Sequence, residues 1–240
     1  KYPADSAGSI MTTEFVDLYR DMTINEAIQH IRETGVDKET INVCYVTNVS
    51  RQLIGEVSIR TLILADLSAT VDSVMTKNTV SVNTQEDKED VAHVFSKYGC
   101  IVVPVVDSEE RLVGIVTVDD AMDVMRDETT EDIDKMAAIT PSDKPYLKLS
   151  TFDIYKSRIP WLLILMISAA FTGAIITHFE DALSAYLVLA ASIPMIMDTG
   201  GNCGSQASVT VIRGISLDEI EFSDLFRVIW KEIRVAVICG

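Results

Sequence analysis

Two stretches of this 240-residue chain hold side chains whose type and spacing can do chemistry. The first, from Val118 to Ile139, contains no Gly or Pro, which predicts a helix. With Asp120 at zero and about 100° per residue, Asp123 falls near −60°, Asp127 near −20°, Glu131 near +20° and Asp134 near −40°. Five carboxylates therefore share a stripe about 80° wide, and Met122, Met125, Ile133 and Met136 fall on the opposite side. Like charges at i,i+4 weaken a helix by a few tenths of a kcal/mol each. Divalent cations would relieve that repulsion. Mg²⁺ suits the task, because it keeps several waters and needs only one or two carboxylates per site. A solvated acidic face is the plainer alternative.

The second stretch is Pro194-Met195-Ile196-Met197-Asp198-Thr199-Gly200-Gly201-Asn202-Cys203-Gly204-Ser205-Gln206-Ala207-Ser208, embedded in an apolar run. A carboxylate at membrane depth is expensive and turns toward a partner or a water-filled path. Pro194, Gly200, Gly201 and Gly204 loosen the helix, and backbone exposed at that depth is tolerated only where it is buried in protein or lines a cavity. Asn202, Ser205 and Gln206 add uncharged oxygen-bearing groups. Such a wall fits a hard cation that moves with part of its water shell. Small residues also make tight helix contacts, which accounts for the glycines but not for Asp198, Asn202 and Gln206 together.

The surrounding elements place both stretches. Residues 160–179 carry no Asp, Glu, Lys or Arg, about enough for one helical span of ~30 Å. Trp161 stands at its entrance, where an amphipathic ring prefers the interface. A second apolar run extends from Ala182 to Ile212, and a third begins near Phe226 and is still running at Gly240. Lys148, Lys156 and Arg158 precede the first run, Glu180 and Asp181 follow it, and Arg213, Arg227, Lys231 and Arg234 lie beyond the second. Basic loops face the cytosol, so the N-terminal part is expected to be cytosolic and the Glu180-Asp181 turn outside. A chain that opens abruptly at Lys1 and stops within a third run reads as a fragment lacking further helices.

Charge separates the two parts. Residues 1–145 hold 27 Asp and Glu against 13 Lys and Arg, whereas residues 146–240 hold 9 against 7. An acidic balance argues against nucleic acid as a partner, since phosphate binding needs clustered Lys and Arg, and is compatible with cations. The cysteines Cys44, Cys100, Cys203 and Cys239 are scattered singly, without zinc-site spacing. His30, His93 and His178 are isolated, with no H-E-x-x-H arrangement and no nucleophile–base motif. No enzyme is indicated.

The acidic part repeats itself. Ile10-Met11-Thr12 and Val74-Met75-Thr76 are 64 residues apart and open two copies. Each continues with a short strand-like run (Phe15-Val16; Val80-Ser81-Val82) and a helix started by Thr23 or Thr84. Thr23 and Glu26 form a capping-box signature. Two alternating strands around a turn come next: Val43–Val46 with Leu53–Val57, and Ile101–Val106 with Leu112–Val116. The pattern resembles the CBS-domain pair over roughly residues 10–125, most specifically at Gly114-Ile115-Val116-Thr117-Val118-Asp119-Asp120, which matches the family's G-x-x-[ST]-x-x-D ending. That resemblance implies Thr117 and Asp120 as ligands of an adenine nucleotide such as ATP. The first copy reads Gly55-Glu56-Val57-Ser58-Ile59-Arg60-Thr61, with Thr61 where the acid belongs.

The run P-x-x-x-D-T-G-G-N-x-G-x-Q, preceded by a CBS pair and a connecting helix, strongly resembles the MgtE family of magnesium channels. The resemblance implies an α+β CBS-domain pair followed by an all-α transmembrane helical region. Its expected parts are a first CBS domain at 1–70, a second at 71–125, an acidic connecting (plug) helix at 119–140, a juxtamembrane segment at 141–159 and three spans in 160–240, the third incomplete. It implies a homodimeric, multi-pass channel in the plasma membrane, in contact with lipid, that carries Mg²⁺ and is closed by cytosolic Mg²⁺. Asp198, Gly201, Ser205 and Val209 would face the conduction path, with Asn202 beside them. Sensor carboxylates carry over to Asp120, Asp123, Glu128, Glu131 and Asp132, of which Asp120, Asp123 and Glu131 also lie on the helical stripe. The family's principal selectivity carboxylate lies on a fifth span, outside this chain. A nucleotide-sensing CBS module regulating another type of transporter is the alternative. An anion pore would want positive groups at depth, where this chain offers Asp198.

Overall fold

The computed structural model describes residues 2–142, 144–217 and 219–239; Lys1, where the chain opens, and Gly240, where the third apolar run is still going, lie outside them. The chain divides into two compact units, Lys1–Arg126 and Asp127–Gly240.

The first unit contains the repeat. Its first copy comprises α1 (Ala7–Ile10), β1 (Asp17–Tyr19), α2 (Ile24–Thr34), β2 (Val43–Thr47), β3 (Leu53–Ser58) and α3 (Ile59–Leu64). The second comprises α4 (Val71–Val74), β4 (Val82–Asn83), α5 (Lys88–Tyr98), β5 (Val102–Val106), β6 (Leu112–Thr117) and α6 (Val118–Met136), which continues into the second unit. Each copy forms a three-stranded sheet in sequence order. The first strand runs parallel to the second and the second antiparallel to the third.

Local chemistry explains most boundaries. Thr23 caps α2: its hydroxyl accepts from the Glu26 amide, and the Glu26 carboxylate accepts from the Thr23 amide at 2.8 Å. The matching helix differs from expectation. Thr84 is buried, with its amide donating to Val106 and its carbonyl accepting from Gly8, so α5 starts later, capped by Asp87, whose side chain accepts from the Glu89 amide at 2.9 Å. The leading strands also begin two residues later than the runs Phe15-Val16 and Val80-Ser81-Val82, because ladder pairing starts only at Asp17 and Val82.

Three apolar clusters hold the unit together. One lies within each copy, and Tyr45, Val102, Leu112 and Ile115 join the copies. The leading helices are exchanged. Ala7 of α1 packs in the second copy's core, and Val71 of α4 in the first copy's. Thr12 bridges Ile115 of β6, and Thr76 bridges Glu56 of β3. The turns meet as well: Leu53 donates to the Glu110 carbonyl at 3.0 Å and Leu112 to the Arg51 carbonyl at 2.9 Å.

That exchange dictates Gly55 and Gly114. A Cβ on Gly114 would stand 2.7 Å from Met11 Sδ and 2.8 Å from the Thr12 carbonyl oxygen, and one on Gly55 would stand 2.7 Å from the Thr76 carbonyl oxygen. Backbone cannot move aside as a flexible side chain would.

The second unit is helical. After a 3₁₀ turn at Tyr146–Lys148 come α7 (Thr151–His178), α8 (Glu180–Ala185), α9 (Leu187–Ser216) and, beyond a turn at Phe222–Asp224, α10 (Leu225–Cys239). Ser150 and Asp153 form a capping box that starts α7 nine residues before the charge-free run. Among the described residues only α7 is long and apolar enough to cross a membrane. The second and third apolar runs do not meet that criterion. At 30 residues α9 is longer than α7, but Asp198, Asn202, Gln206 and the glycines dilute its apolar character. The described part of the third run, α10, has 15 residues, short of the ~20 that a span needs.

Gly114→Val is expected to destabilise the chain by about 1–3 kcal/mol, the usual range for overpacking, seen as a lower urea midpoint. An unchanged midpoint would contradict the crossing of Met11-Thr12 over β6.

Candidate functional site

In the first unit, β6 delivers Thr117 and the first turn of α6 delivers Asp120. The Thr117 hydroxyl, 6 % exposed, donates to Asp120 Oδ2 at 2.9 Å. The first copy places Ser58 and Thr61 at the matching positions, their hydroxyls also 2.9 Å apart. Both copies thus build the same small polar knot, but only the second contains a carboxylate, whose remaining lone pairs can accept from a ligand's hydroxyls.

Sequence reasoning missed several buried polar side chains in this unit. Tyr45 and Glu56 stand directly opposite each other on β2 and β3, a short cross-strand separation. The Tyr45 side chain is fully buried and its hydroxyl has no protein partner; the buried hydroxyl of Thr79 has none either. Burial raises the Tyr45 phenol pKa above its usual value, and the Glu56 charge raises it further. Burial likewise raises the Glu56 carboxyl, and burial followed by the Glu56 charge raises the Cys100 thiol. Buried polar atoms are nearly always hydrogen-bonded, so these hydroxyls can receive a ligand.

The acidic stripe lies on one continuous helix, as its sequence predicts. Within the first unit α6 packs through Ala121 and Val124, not through the apolar row opposite the carboxylates: Met122, Met125 and Ile133 are 64 %, 42 % and 60 % exposed. At 1.5 Å per residue, Asp120 and Glu131 stand ~16 Å apart along the axis, too far to share one ion. Among the described residues, no three His, Cys, Asp or Glu side chains converge on a metal position. The helix therefore offers one or two carboxylates at each level, and any ion held there completes its shell with water or other groups.

Several of these acids have partners. Glu131 pairs with Lys135 at 2.7 Å, and the bond raises the lysine's pKa. Within the second unit, Asp132 accepts a hydrogen bond from the Ser216 hydroxyl at the end of α9. Asp123 is exposed. Glu128 and Asp132 fall about 80° and 120° from Asp120, off the stripe.

On α9 the five motif residues fall together. Taking Asp198 as zero, Val209, Asn202, Ser205 and Gly201 lie near +20°, +40°, −20° and −60°, and all five are exposed in the chain. Gly200, Gly201 and Gly204 have open space where a Cβ would be. Another side of the helix faces α10 across a cavity of about 890 Å³ lined by Thr199, Gly200, Cys203, Gly204 and Thr210 among others. Asp198, Gly201, Asn202, Ser205 and Val209 do not line that cavity, whereas Gln206 does.

The chain is a pair of exchanged α+β repeats followed by an acidic helix and apolar helices, and comparison with known proteins matches both parts. CBS-domain profiles match residues 7–68 and 71–127, and the divalent cation transporter profile MgtE matches residues 193–240. Magnesium transporters MgtE of Thermus thermophilus and Bacillus subtilis are each 38 % identical along the whole chain, which covers 53 % and 52 % of their lengths. The soluble part of a magnesium transporter superposes with a TM-score of 0.52 at 38 % identity, over 53 % of this chain and 50 % of that one. The cytosolic domain of the Mg²⁺ channel MgtE in complex with ATP superposes at 0.50 with 44 % identity, over 51 % and 50 %. The chain belongs to the MgtE family, and it spans about half the length of these curated relatives. The relatives that match the whole chain are transporters rather than enzymes.

The Glu56 carboxyl titrates above the ordinary carboxylate range, so its charged form is disfavoured in the fold. Its contribution to stability is lost as pH rises through that raised value. Glu56→Gln is therefore expected to melt higher than the parent at pH 7, and the gap is expected to close below the pKa of an unfolded Glu. A gap that persists at low pH would contradict burial as its cause.

Proposed function

We propose that this chain is the regulatory and pore-forming part of a homodimeric Mg²⁺ channel in the cell membrane, with its CBS pair in the cytosol. The observation that carries the reading is the single exposed face of α9 formed by Asp198, Gly201, Asn202, Ser205 and Val209, inside the segment that matches divalent cation transporters. Carboxylate, amide and hydroxyl oxygens with no Lys or Arg beside them suit a hydrated hard cation. Facing a second copy, the same surface doubles its oxygens around one axis, and the exposed row of Met122, Met125 and Ile133 supplies apolar area for self-association.

Gating follows from α6. Eight acids stand against Arg126 and Lys135 in its nineteen residues. Cytosolic Mg²⁺ at Asp120, Asp123, Glu128, Glu131 and Asp132 neutralises the row and favours the closed state; without it, repulsion favours the open one. The ion shifts gating by its different affinity for the two states. The hydrogen bond from Ser216 to Asp132 supports a link between this helix and the one that bears the pore motif. Thr117 and Asp120, with the unpartnered hydroxyls of Tyr45 and Thr79, are the candidate ligands for ATP or another adenine nucleotide. The three apolar runs serve as spans, with α9 and α10 tolerated in lipid because other helices cover their polar sides. Regulation of a different transporter is disfavoured by the match over residues 193–240.

Mg²⁺ flux into proteoliposomes carrying the complete protein tests the proposal. Flux is expected to fall as Mg²⁺ on the CBS side rises. In Asp120→Asn with Glu131→Gln, closure is expected to need about fivefold more Mg²⁺ or beyond, the lower end of typical allosteric coupling. No flux in correctly inserted protein would refute the channel; an unshifted closure curve would refute the sensor.

A further inference from the structure

The juxtamembrane segment runs against the charge of the rest of the molecule. In a chain of formal net charge −16, Lys144, Lys148, Lys156 and Arg158 are clustered immediately before the charge-free part of α7. All four are exposed, and none forms an ion pair among the described residues. The acid among them, Asp153, is engaged at the helix start, where it accepts from the Ser150 amide at 3.2 Å and its hydroxyl at 2.9 Å.

Aromatic rings are interleaved with these cations. Phe152 and Tyr155 stack with centroids 6.1 Å apart, and Lys156 Nζ lies 4.9 Å from the Phe152 ring centre. Tyr146, Phe152, Tyr155 and Trp161 are exposed. Along a helix rising 1.5 Å per residue, Lys156 and Arg158 stand ~6 Å and ~3 Å from Pro160, at the depth of lipid phosphates if the charge-free run fills the hydrocarbon layer.

We propose that residues 144–161 form a docking surface for the headgroups of anionic phospholipids in the leaflet on the CBS side. The cations provide attraction to phosphate within a Debye length of the surface, and the rings provide anchorage at the headgroup boundary. An acidic protein surface would satisfy the cations but would leave four exposed aromatic rings without purpose, so lipid is the better occupant. The inference rests on α7 crossing the membrane with its N-terminal end on the CBS side. It adds a lipid preference: the acidic CBS region is itself repelled by an anionic leaflet, and this collar offsets that repulsion at the point of entry.

Spin-labelled lipids provide the test. In nanodiscs holding the full chain, labelled phosphatidylglycerol is expected to associate about fivefold more than labelled phosphatidylcholine, and the preference is expected to collapse toward parity in ~1 M salt. Lys144→Gln, Lys148→Gln, Lys156→Gln and Arg158→Gln together are expected to remove it at low salt. Equal association of both lipids with the parent, or an unchanged preference in the fourfold variant, overturns the docking surface. The crossing is read separately, by labelling Glu180→Cys in intact cells with a membrane-impermeant maleimide, against the unsubstituted chain. Labelling without a lipid preference sinks the docking surface alone; absence of labelling sinks the crossing on which it rests.

Discussion

Repulsion between carboxylates on α6 is the constraint on which the account depends. A nineteen-residue helix with eight acids and two bases is costly at several i,i+3 and i,i+4 spacings, and its partners reduce that cost only in part. Lys135 neutralises Glu131, Ser216 holds Asp132 and Thr117 holds Asp120. Asp123, Asp127 and Asp134 are left to solvent and to cations. Because the acids are strung out along an axis instead of gathered at one point, the proposed sensor is a distributed charge. A single site with a Kd far below the prevailing ion concentration would instead stay saturated.

The remainder of the fold makes that helix answerable. In the first unit it is anchored by Ala121 and Val124 in a core built of small β-branched residues, and that core is closed by the exchanged helix α1. Neither copy can leave without opening both cores, so the repeat behaves as a single anchor. Its two polar knots differ in Ser58 against Thr117 and in Thr61 against Asp120, and only the second offers a carboxylate. The same Asp120 begins the acidic row. Were both ligands held as proposed, they would meet at a shared residue, and the occupancy of one would be coupled to that of the other.

How much of this is legible in the sequence depends on the range of the interaction concerned. The Thr23 capping box, the β-strands, the continuity of α6 and the shared face of Asp198, Asn202, Ser205 and Val209 follow from local spacing, and the structure contains them. Thr84 misleads because Asp87, three residues on, is an equally good cap, and only the ladder bond to Val106 decides between them. The exchange of α1 and α4 is invisible to periodicity, although the glycines at identical places in both copies were its trace. The Tyr45–Glu56 pairing depends on cross-strand register, which local spacing does not reveal. Among the helices of the second unit, composition separates α7 from α9, whose Asp198, Asn202, Gln206 and glycines dilute its apolar run.

The most direct test of the central claim is trypsin cleavage of the complete protein in lipid, followed at Arg126 and Lys135 while Mg²⁺ is exchanged for chelator. If divalent ions hold the acidic helix in place, both bonds are cut slowly in millimolar Mg²⁺ and much faster without it. Equal rates under the two conditions would show that the helix is indifferent to metal, and the gating account would fail.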